Sequence, residues 1–170
     1  MSLPEKIDIL IITLSDRAYK GEYEDLSGPR IRQLLADYFI SLNWKTSFDQ
    51  TLIPDDPALL KSRILDAKER YNIIITTGGT GIGPRDITVE TVKPLLEKEI
   101  PGIMEFIRVK YGTNKPNALL SRGVAGLAGK ALIFTLPGSV KAVEEYLAEI
   151  VRTLNHLIYM QYGIDIHQKH

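Results

Sequence analysis

Three short runs of nearly unbroken apolar, mostly β-branched residues constrain this chain more than any other feature: residues 7–14, 72–77 and 131–136. A strand with one wet face alternates apolar and polar side chains, whereas a strand covered on both faces has no polar side to offer. The three runs therefore predict the interior of a parallel sheet. A fourth run, residues 45–53, is interrupted by polar residues and reads as a less buried strand.

Helical patterns separate the runs. Ser27-Gly28-Pro29 opens the first, with Ile31, Leu34, Leu35, Tyr38 and Leu42 on one face and proline in the first turn. Asp56-Pro57 opens a second, with Leu59, Leu60, Ile64 and Ala67 inward. A third starts at Thr88 and runs toward Lys98, and a fourth spans residues 103–111 after Pro101-Gly102. The last begins near Ser139 and carries Val143, Leu147, Ile150, Val151, Leu154 and Ile158 at helical spacing. Residues 118–130 are punctuated by glycine and leave room for one short strand. Strand and helix in alternation imply right-handed crossovers, hence an α/β three-layer sandwich whose mostly parallel sheet is flanked by helices. No repeat or linker divides the chain, so residues 1–170 read as a single domain. A chain of this length buries roughly 70% of its unfolded surface and needs no staple.

Charge and cysteine usage exclude several functions. The 21 basic residues are matched by 21 acidic ones, which argues against binding to nucleic acid or an anionic membrane. The absence of cysteine removes disulfides, thiolate metal ligands and a thiol nucleophile. The longest apolar run falls far short of the ~20 residues that span a bilayer, and the first residues lack a secretory pattern, so a cytoplasmic protein is expected.

In an open α/β sheet, ligands bind beyond the carboxyl ends of the strands. Those ends read Ser15-Asp16-Arg17, Pro54-Asp55-Asp56, Thr76-Thr77-Gly78-Gly79-Thr80-Gly81-Ile82-Gly83-Pro84-Arg85-Asp86, and Pro137-Gly138-Ser139. Four glycines in the six positions from Gly78 to Gly83 let backbone N–H groups approach an anion closely. Arg85 adds a planar fork for phosphate oxygens. Asp86 would repel phosphate unless a divalent cation lies between them, which points to Mg²⁺ bridging a carboxylate and a polyphosphate, with Asp55 as second carboxylate. The loop is neither a P-loop nor a dinucleotide fingerprint, and a glycine loop after a strand also serves as a plain tight turn.

Other polar residues have structural readings beside the functional ones. Asp56 before Pro57 suits a helix cap. Asp25 and Ser27 border the first strand end and equally shape the start of the first helix, and Ser121-Arg122 has little specificity as a dipeptide. His167 and His170 lack a third ligand at metal spacing, and Trp44 reads as a packing residue. The loop holding Tyr19 and Tyr23 could fold over a ligand or meet a subunit.

Taken together, the segments Thr13-Leu14-Ser15-Asp16-Arg17, Gly21, Asp25, Ser27-Gly28, residues 76–86 with Thr88, Pro101-Gly102, Leu120-Ser121-Arg122 and Leu136-Pro137-Gly138 resemble, in order, the Mog-type molybdopterin adenylyltransferases of molybdenum-cofactor biosynthesis, relatives of the gephyrin G domain. The resemblance runs from about Ile7 to the final helix. It implies that Mg-ATP and molybdopterin give adenylylated molybdopterin and pyrophosphate. The family's two functional aspartates match Asp55 and Asp86. It further implies that Gly78, Gly79, Thr80 and Gly81 cradle phosphate, that Ser121 and Arg122 hold the pterin or its phosphate, and that Ser15, Asp25, Ser27, Pro137 and Gly138 border the pocket. A homotrimer and hand-over to a molybdenum-insertion enzyme are also implied. Two alternatives remain open. One is a pterin- or nucleotide-binding module without turnover. The other is the insertion enzyme itself, whose additional domains 170 residues cannot hold.

Overall fold

The computed structural model describes residues 2–164, so His167 and His170 lie outside the described residues. Six strands form one sheet: β1 (Lys6–Leu14), β2 (Lys45–Ile53), β3 (Ile73–Thr77), β4 (Lys98–Glu99), β5 (Ala125–Ala128) and β6 (Ala131–Leu136), in the order β2-β1-β3-β6-β5-β4. The first four strands across the sheet are parallel, with Ile11 paired to Ile75 and Ile75 to Phe134. β5 runs antiparallel to both β6 and β4, so the sheet is mixed at one edge.

The apolar runs sit where their composition requires. β3 and β6 are buried at every position, and β1 at nearly every one. Side chains alternate between two cores. A one-turn helix, α1 (Asp16–Tyr19), follows β1, and Ile7, Ile9 and Ile11 pack with Ile31, Leu35 and Phe39 of α2 (Ser27–Ser41), Met104 and Ile107 of α5 (Pro101–Gly112), and one face of α6 (Val140–Gln161). Leu10, Ile12 and Leu14 pack on the opposite side against Leu60 and Ile64 of α3 (Pro57–Ala67) and Val89 and Val92 of α4 (Thr88–Val92). Each fully buried leucine or isoleucine contributes about 1.5–3 kcal/mol, which makes the two helical layers obligatory partners of the sheet. The interrupted run 45–53 is the edge strand β2, where the polar positions remain accessible.

Two local expectations change. The helix from Thr88 does not reach Lys98: it ends at Val92, residues 93–95 form a 3-10 turn, and Lys98 begins β4. Pro94 has no N–H for the helical ladder, so the turn tightens there. Leu42 of the first helical stripe is exposed, and Phe39 takes the buried position instead. Asp56 does cap α3, accepting from the Leu59 N–H at 3.0 Å, and Trp44 packs half-buried against the first core. The glycine-rich stretch contains β5, joined tightly to β6. Among the described residues, no helix is long and apolar enough to cross a membrane.

Candidate active site at the carboxyl ends of the parallel strands

The strand order brings four sequence-distant loops side by side. From β1 the chain crosses to β2 on one side and later to β3 on the other, so the switch point lies between β1 and β3. Asp55 after β2, Ser15 and Asp16 after β1, the glycine loop after β3, and Pro137-Gly138 after β6 stand in that order along one edge.

The glycine loop is held from below and from both sides. Gly78 donates to the Leu136 carbonyl at 2.9 Å, and Thr77 Oγ1 donates to the Pro137 carbonyl at 2.8 Å. The fully buried Thr88 hydroxyl donates to the Gly78 carbonyl at 2.8 Å, while its N–H donates to the Gly79 carbonyl at 3.0 Å. Gly78 has φ +102°, and a Cβ there would lie 2.3 Å from the Leu14 carbonyl oxygen, so only glycine fits. The N–H groups of Gly79, Thr80 and Gly81 donate to no acceptor among the described residues. Consecutive unpaired N–H groups form an anion-binding concavity.

Asp86 is folded into this loop. Its Oδ2 accepts from the Gly83 N–H at 2.7 Å, and lies where a side chain on Gly81 would have to be. Asp55 is half-buried beside Asp16. Desolvation pushes the Asp55 carboxyl above its ordinary range, and the negative charges of Asp16 and Asp86 add to the rise, while the Asp16 N–H and Arg85 oppose it. Asp16 moves the other way, held low first by the Asp55 N–H and then by Arg85. No hydrogen bond reaches Oδ1 of Asp55 or of Asp86 from the described residues. Among the described residues no cluster of three acidic or histidine side chains could hold a metal unaided.

Both arginines expected near phosphate are engaged. Arg85 donates from Nε to Asp16 Oδ2 at 2.8 Å and from Nη2 to the Asp55 carbonyl at 3.0 Å, and its Nη1 donates to none of the described residues. Arg122 donates from Nε to the Gly81 carbonyl at 2.9 Å and pairs with Glu90, which lowers the Glu90 carboxyl below its usual range. Its own N–H donates to the Thr80 carbonyl at 3.0 Å, so Arg122 braces the loop at two points.

The remaining predicted residues divide between clefts. Ser15, Asp25, Ser27 and Gly138 line a 180 Å³ cavity at the switch point together with Thr77 and Tyr23. Asp25 is saturated there: it accepts from Thr13 Oγ1 at 2.6 Å, Ser27 Oγ at 3.0 Å and the Ser27 and Gly28 N–H groups at 3.1 Å each, so from one residue before the Leu26 N-cap it satisfies the first N–H groups of α2. Ser15 Oγ meets the Tyr23 hydroxyl at 2.6 Å. Ser121 and Pro137 line a larger cavity of 270 Å³ with an apolar floor that includes Ile107 and Tyr146, and with Asn117 and Lys141 at its walls. Asp86 borders a third, of 450 Å³, on the α3 side. Gly78, Gly79, Thr80, Gly81, Asp55 and Arg85 line none of these three clefts; Thr77 and Asp86, at the two ends of the loop, do. The sequence placed Asp16 at a strand end and Tyr23 in a neighbouring loop but gave no individual role to Asp16 or Glu90; nothing in their spacing distinguishes those two, because Asp55, Arg85 and Arg122 lie far away in the chain.

A mostly parallel sheet with a switch-point crevice, a cradle of N–H groups unpaired among the described residues and flanking carboxylates defines a protein that handles a phosphorylated ligand at its strand ends. Comparison with known proteins sharpens the class: residues 10–156 match the probable molybdopterin binding domain, and the chain belongs to that family. It is 36% identical over 159 residues to the molybdenum cofactor synthesis protein cinnamon of Drosophila melanogaster, covering 92% of this chain but only 26% of that much longer protein. It is 35% identical over 156 residues to the molybdopterin adenylyltransferase of Helicobacter pylori strain J99, covering 91% of this chain and 87% of the relative. The crystal structure of the molybdopterin biosynthesis enzyme MoaB of Thermus thermophilus superposes with a TM-score of 0.80 at 36% identity, covering 92% of this chain and 97% of that one.

Proposed function

We propose that the chain transfers the adenylyl group of ATP to the terminal phosphate of molybdopterin, giving adenylylated molybdopterin and pyrophosphate. The observation that carries this reading is the run of three unpaired N–H groups at Gly79, Thr80 and Gly81, flanked by Asp86 and Asp55. The adenylyltransferase relative from Helicobacter pylori, matched along nearly its whole length, supports it.

In the reaction an oxygen of the pterin phosphate bonds to the α-phosphorus of ATP. The bond from that phosphorus to the bridging oxygen breaks, and pyrophosphate leaves with the electron pair. The attacking phosphate already carries an anionic oxygen, so no strong base is required, and catalysis reduces to positioning and charge compensation. The loop N–H groups take phosphate oxygens, and Arg85 offers Nη1 while its other nitrogens stay on Asp16 and Asp55. Arg122 acts by holding the loop, and Ser121 and Pro137 offer their cleft to the pterin. The switch-point cavity with Ser15, Asp25, Ser27 and Gly138 borders the same centre.

Asp55 and Asp86 fit a Mg²⁺ ion that arrives with the nucleotide, because each keeps one oxygen free of hydrogen bonds and Mg²⁺ is commonly held by one or two carboxylates plus substrate phosphates. Bound there, the ion would neutralise charge on the departing pyrophosphate. We further infer that the chain acts as one domain, in the cytoplasm, as a homotrimer, and passes its product to a molybdenum-insertion enzyme. Exposed Phe106, Val109, Leu119 and Leu120 offer apolar surface for a subunit contact.

The test is pyrophosphate release from ATP with molybdopterin supplied, with and without Mg²⁺. Asp86→Asn should lower turnover by roughly 100-fold while pterin binding persists. Wild-type protein that binds pterin yet releases no pyrophosphate would establish the binding module without turnover.

A further inference from the structure

Asp16 belongs to none of the roles above, yet its side chain contacts both Asp55 and Arg85. Two hydrogen bonds run in opposite directions between the aspartates: the Asp55 N–H donates to Asp16 Oδ1 at 3.0 Å, and the Asp16 N–H donates to Asp55 Oδ2 at 3.1 Å. Each carboxylate thus holds the other's backbone, and together they tie the carboxyl end of β1 to that of β2. The Ser15 N–H adds a bond to the Ile53 carbonyl at 3.0 Å directly below. The second oxygen of Asp16 receives Arg85, whose Nη2 lies 2.6 Å away. Arg85 and Asp86 are adjacent in the glycine loop, so the same side chain links that loop to β2.

This arrangement answers a geometric difficulty. Asp55 sits just beyond the edge strand β2, in a loop whose own backbone bonds are the Asp56 N–H to the Pro54 carbonyl and the Leu60 N–H to the Asp56 carbonyl. A carboxylate on such a loop would be free to rotate, and about 1 Å of misplacement at a reacting centre costs roughly 100-fold in rate. Arg85 is 64% exposed and would sample many rotamers if unpaired, whereas Asp16 is only 27% exposed and well anchored. The less mobile partner therefore orders the more mobile one.

We propose that Asp16 is a positioning residue for adenylyl transfer: its carboxylate fixes the backbone of Asp55, and through that backbone the placement of the Asp55 side chain, and orients the Arg85 fork, without touching substrate. The proposal rests on the reading of Asp55 as a residue of the reacting site. Asp16→Ala removes the acceptor for the Asp55 N–H. Asp16→Asn retains Oδ1 as that acceptor, while its amide NH2, a donor, cannot accept from Arg85, so only the Arg85 link is lost. The Asp16 backbone N–H persists in both.

Steady-state kinetics should show Asp16→Ala lowering kcat by about 10- to 100-fold with KM for ATP and for molybdopterin shifted less than about 3-fold, and Asp16→Asn restoring kcat to within about 5-fold of wild type. Amide hydrogen exchange, which needs no activity, should show protection at the Asp55 N–H falling at least about 10-fold in Asp16→Ala and surviving in Asp16→Asn. The positioning role is overturned if Asp16→Ala keeps wild-type kcat, if its loss lies in KM, or if Asp55 protection does not change. Asp55→Asn measured alongside separates the two readings. Full activity in that variant defeats the role of Asp55, whereas loss there with wild-type behaviour in Asp16→Ala defeats only the positioning role. Should Asp16→Ala fail to fold, Asp16→Asn decides: a kcat reduced about as far as that of Asp55→Asn would refute the clasp.

Discussion

Replacing Gly78 by alanine tests whether the phosphate cradle depends on contact between β1 and the loop that follows β3. Two penalties combine at this position. The backbone has φ +102°, outside the regions an L-residue occupies comfortably, which costs about 1–3 kcal/mol. The new Cβ would also stand 2.3 Å from the Leu14 carbonyl oxygen. Nonbonded carbon and oxygen sit at about 3.3 Å or more, so the loop or the end of β1 has to yield by about 1 Å. The obstructing atom is backbone within a strand paired on both sides, so the loop is the part that moves. A total near 3 kcal/mol lowers the melting midpoint by roughly 6–12 °C in a domain of this size. The displaced N–H groups should lower kcat for pyrophosphate release by about 100-fold.

Gly21→Ala is the matched control. Gly21 has φ +77° with no atom within 4 Å of its would-be Cβ, so it carries strain without overlap. Its expected cost is about 1 kcal/mol, or roughly 2–4 °C, with turnover preserved. Thermal unfolding followed by circular dichroism, together with the pyrophosphate assay, reads both quantities. A Gly78→Ala protein that melts within about 2 °C of Gly21→Ala and turns over within about 3-fold of wild type would show that the cradle does not depend on this contact.

Two further outcomes follow from buried polar groups. Thr88→Val removes the hydroxyl that satisfies the Gly78 carbonyl in a fully buried setting, and urea unfolding should show a loss of about 1–3 kcal/mol, with a lower kcat as the loop loosens. Glu149 lies almost wholly buried on α6, and Lys110 first, then Arg152, hold its carboxyl below the usual range. A depressed folded pKa means the stabilisation is fully present above the unfolded value near pH 4.3 and is lost as pH falls through the lower folded value. Glu149→Gln should therefore lower the urea midpoint at neutral pH, and the gap from wild type should narrow progressively below about pH 4. A gap unchanged at pH 3 would count against that pairing.

The α/β class was legible in the chain itself because burial on both faces leaves a local trace: residues 73–77 and 131–136 have no polar face to show. The interrupted run 45–53 announced a less buried strand for the same reason, and the sheet order made it an edge. The extent of the helix after Thr88 was harder, since Pro94 competes with an otherwise helical pattern. At the site, the glycine loop and the resemblance pointed to Gly78, Gly79, Thr80, Gly81, Asp55 and Asp86, because conformational freedom and charge are properties of residue type. What only the tertiary structure decided is which charges meet. Asp16 and Asp55 are 39 positions apart and Arg85 lies 69 beyond Asp16, while Arg122 finds Glu90 across 32. No spacing rule connects such residues. Their juxtaposition arises because β2, β1 and β3 are neighbours in the sheet in an order different from that in the chain, and parallel pairing brings all their carboxyl ends to one edge.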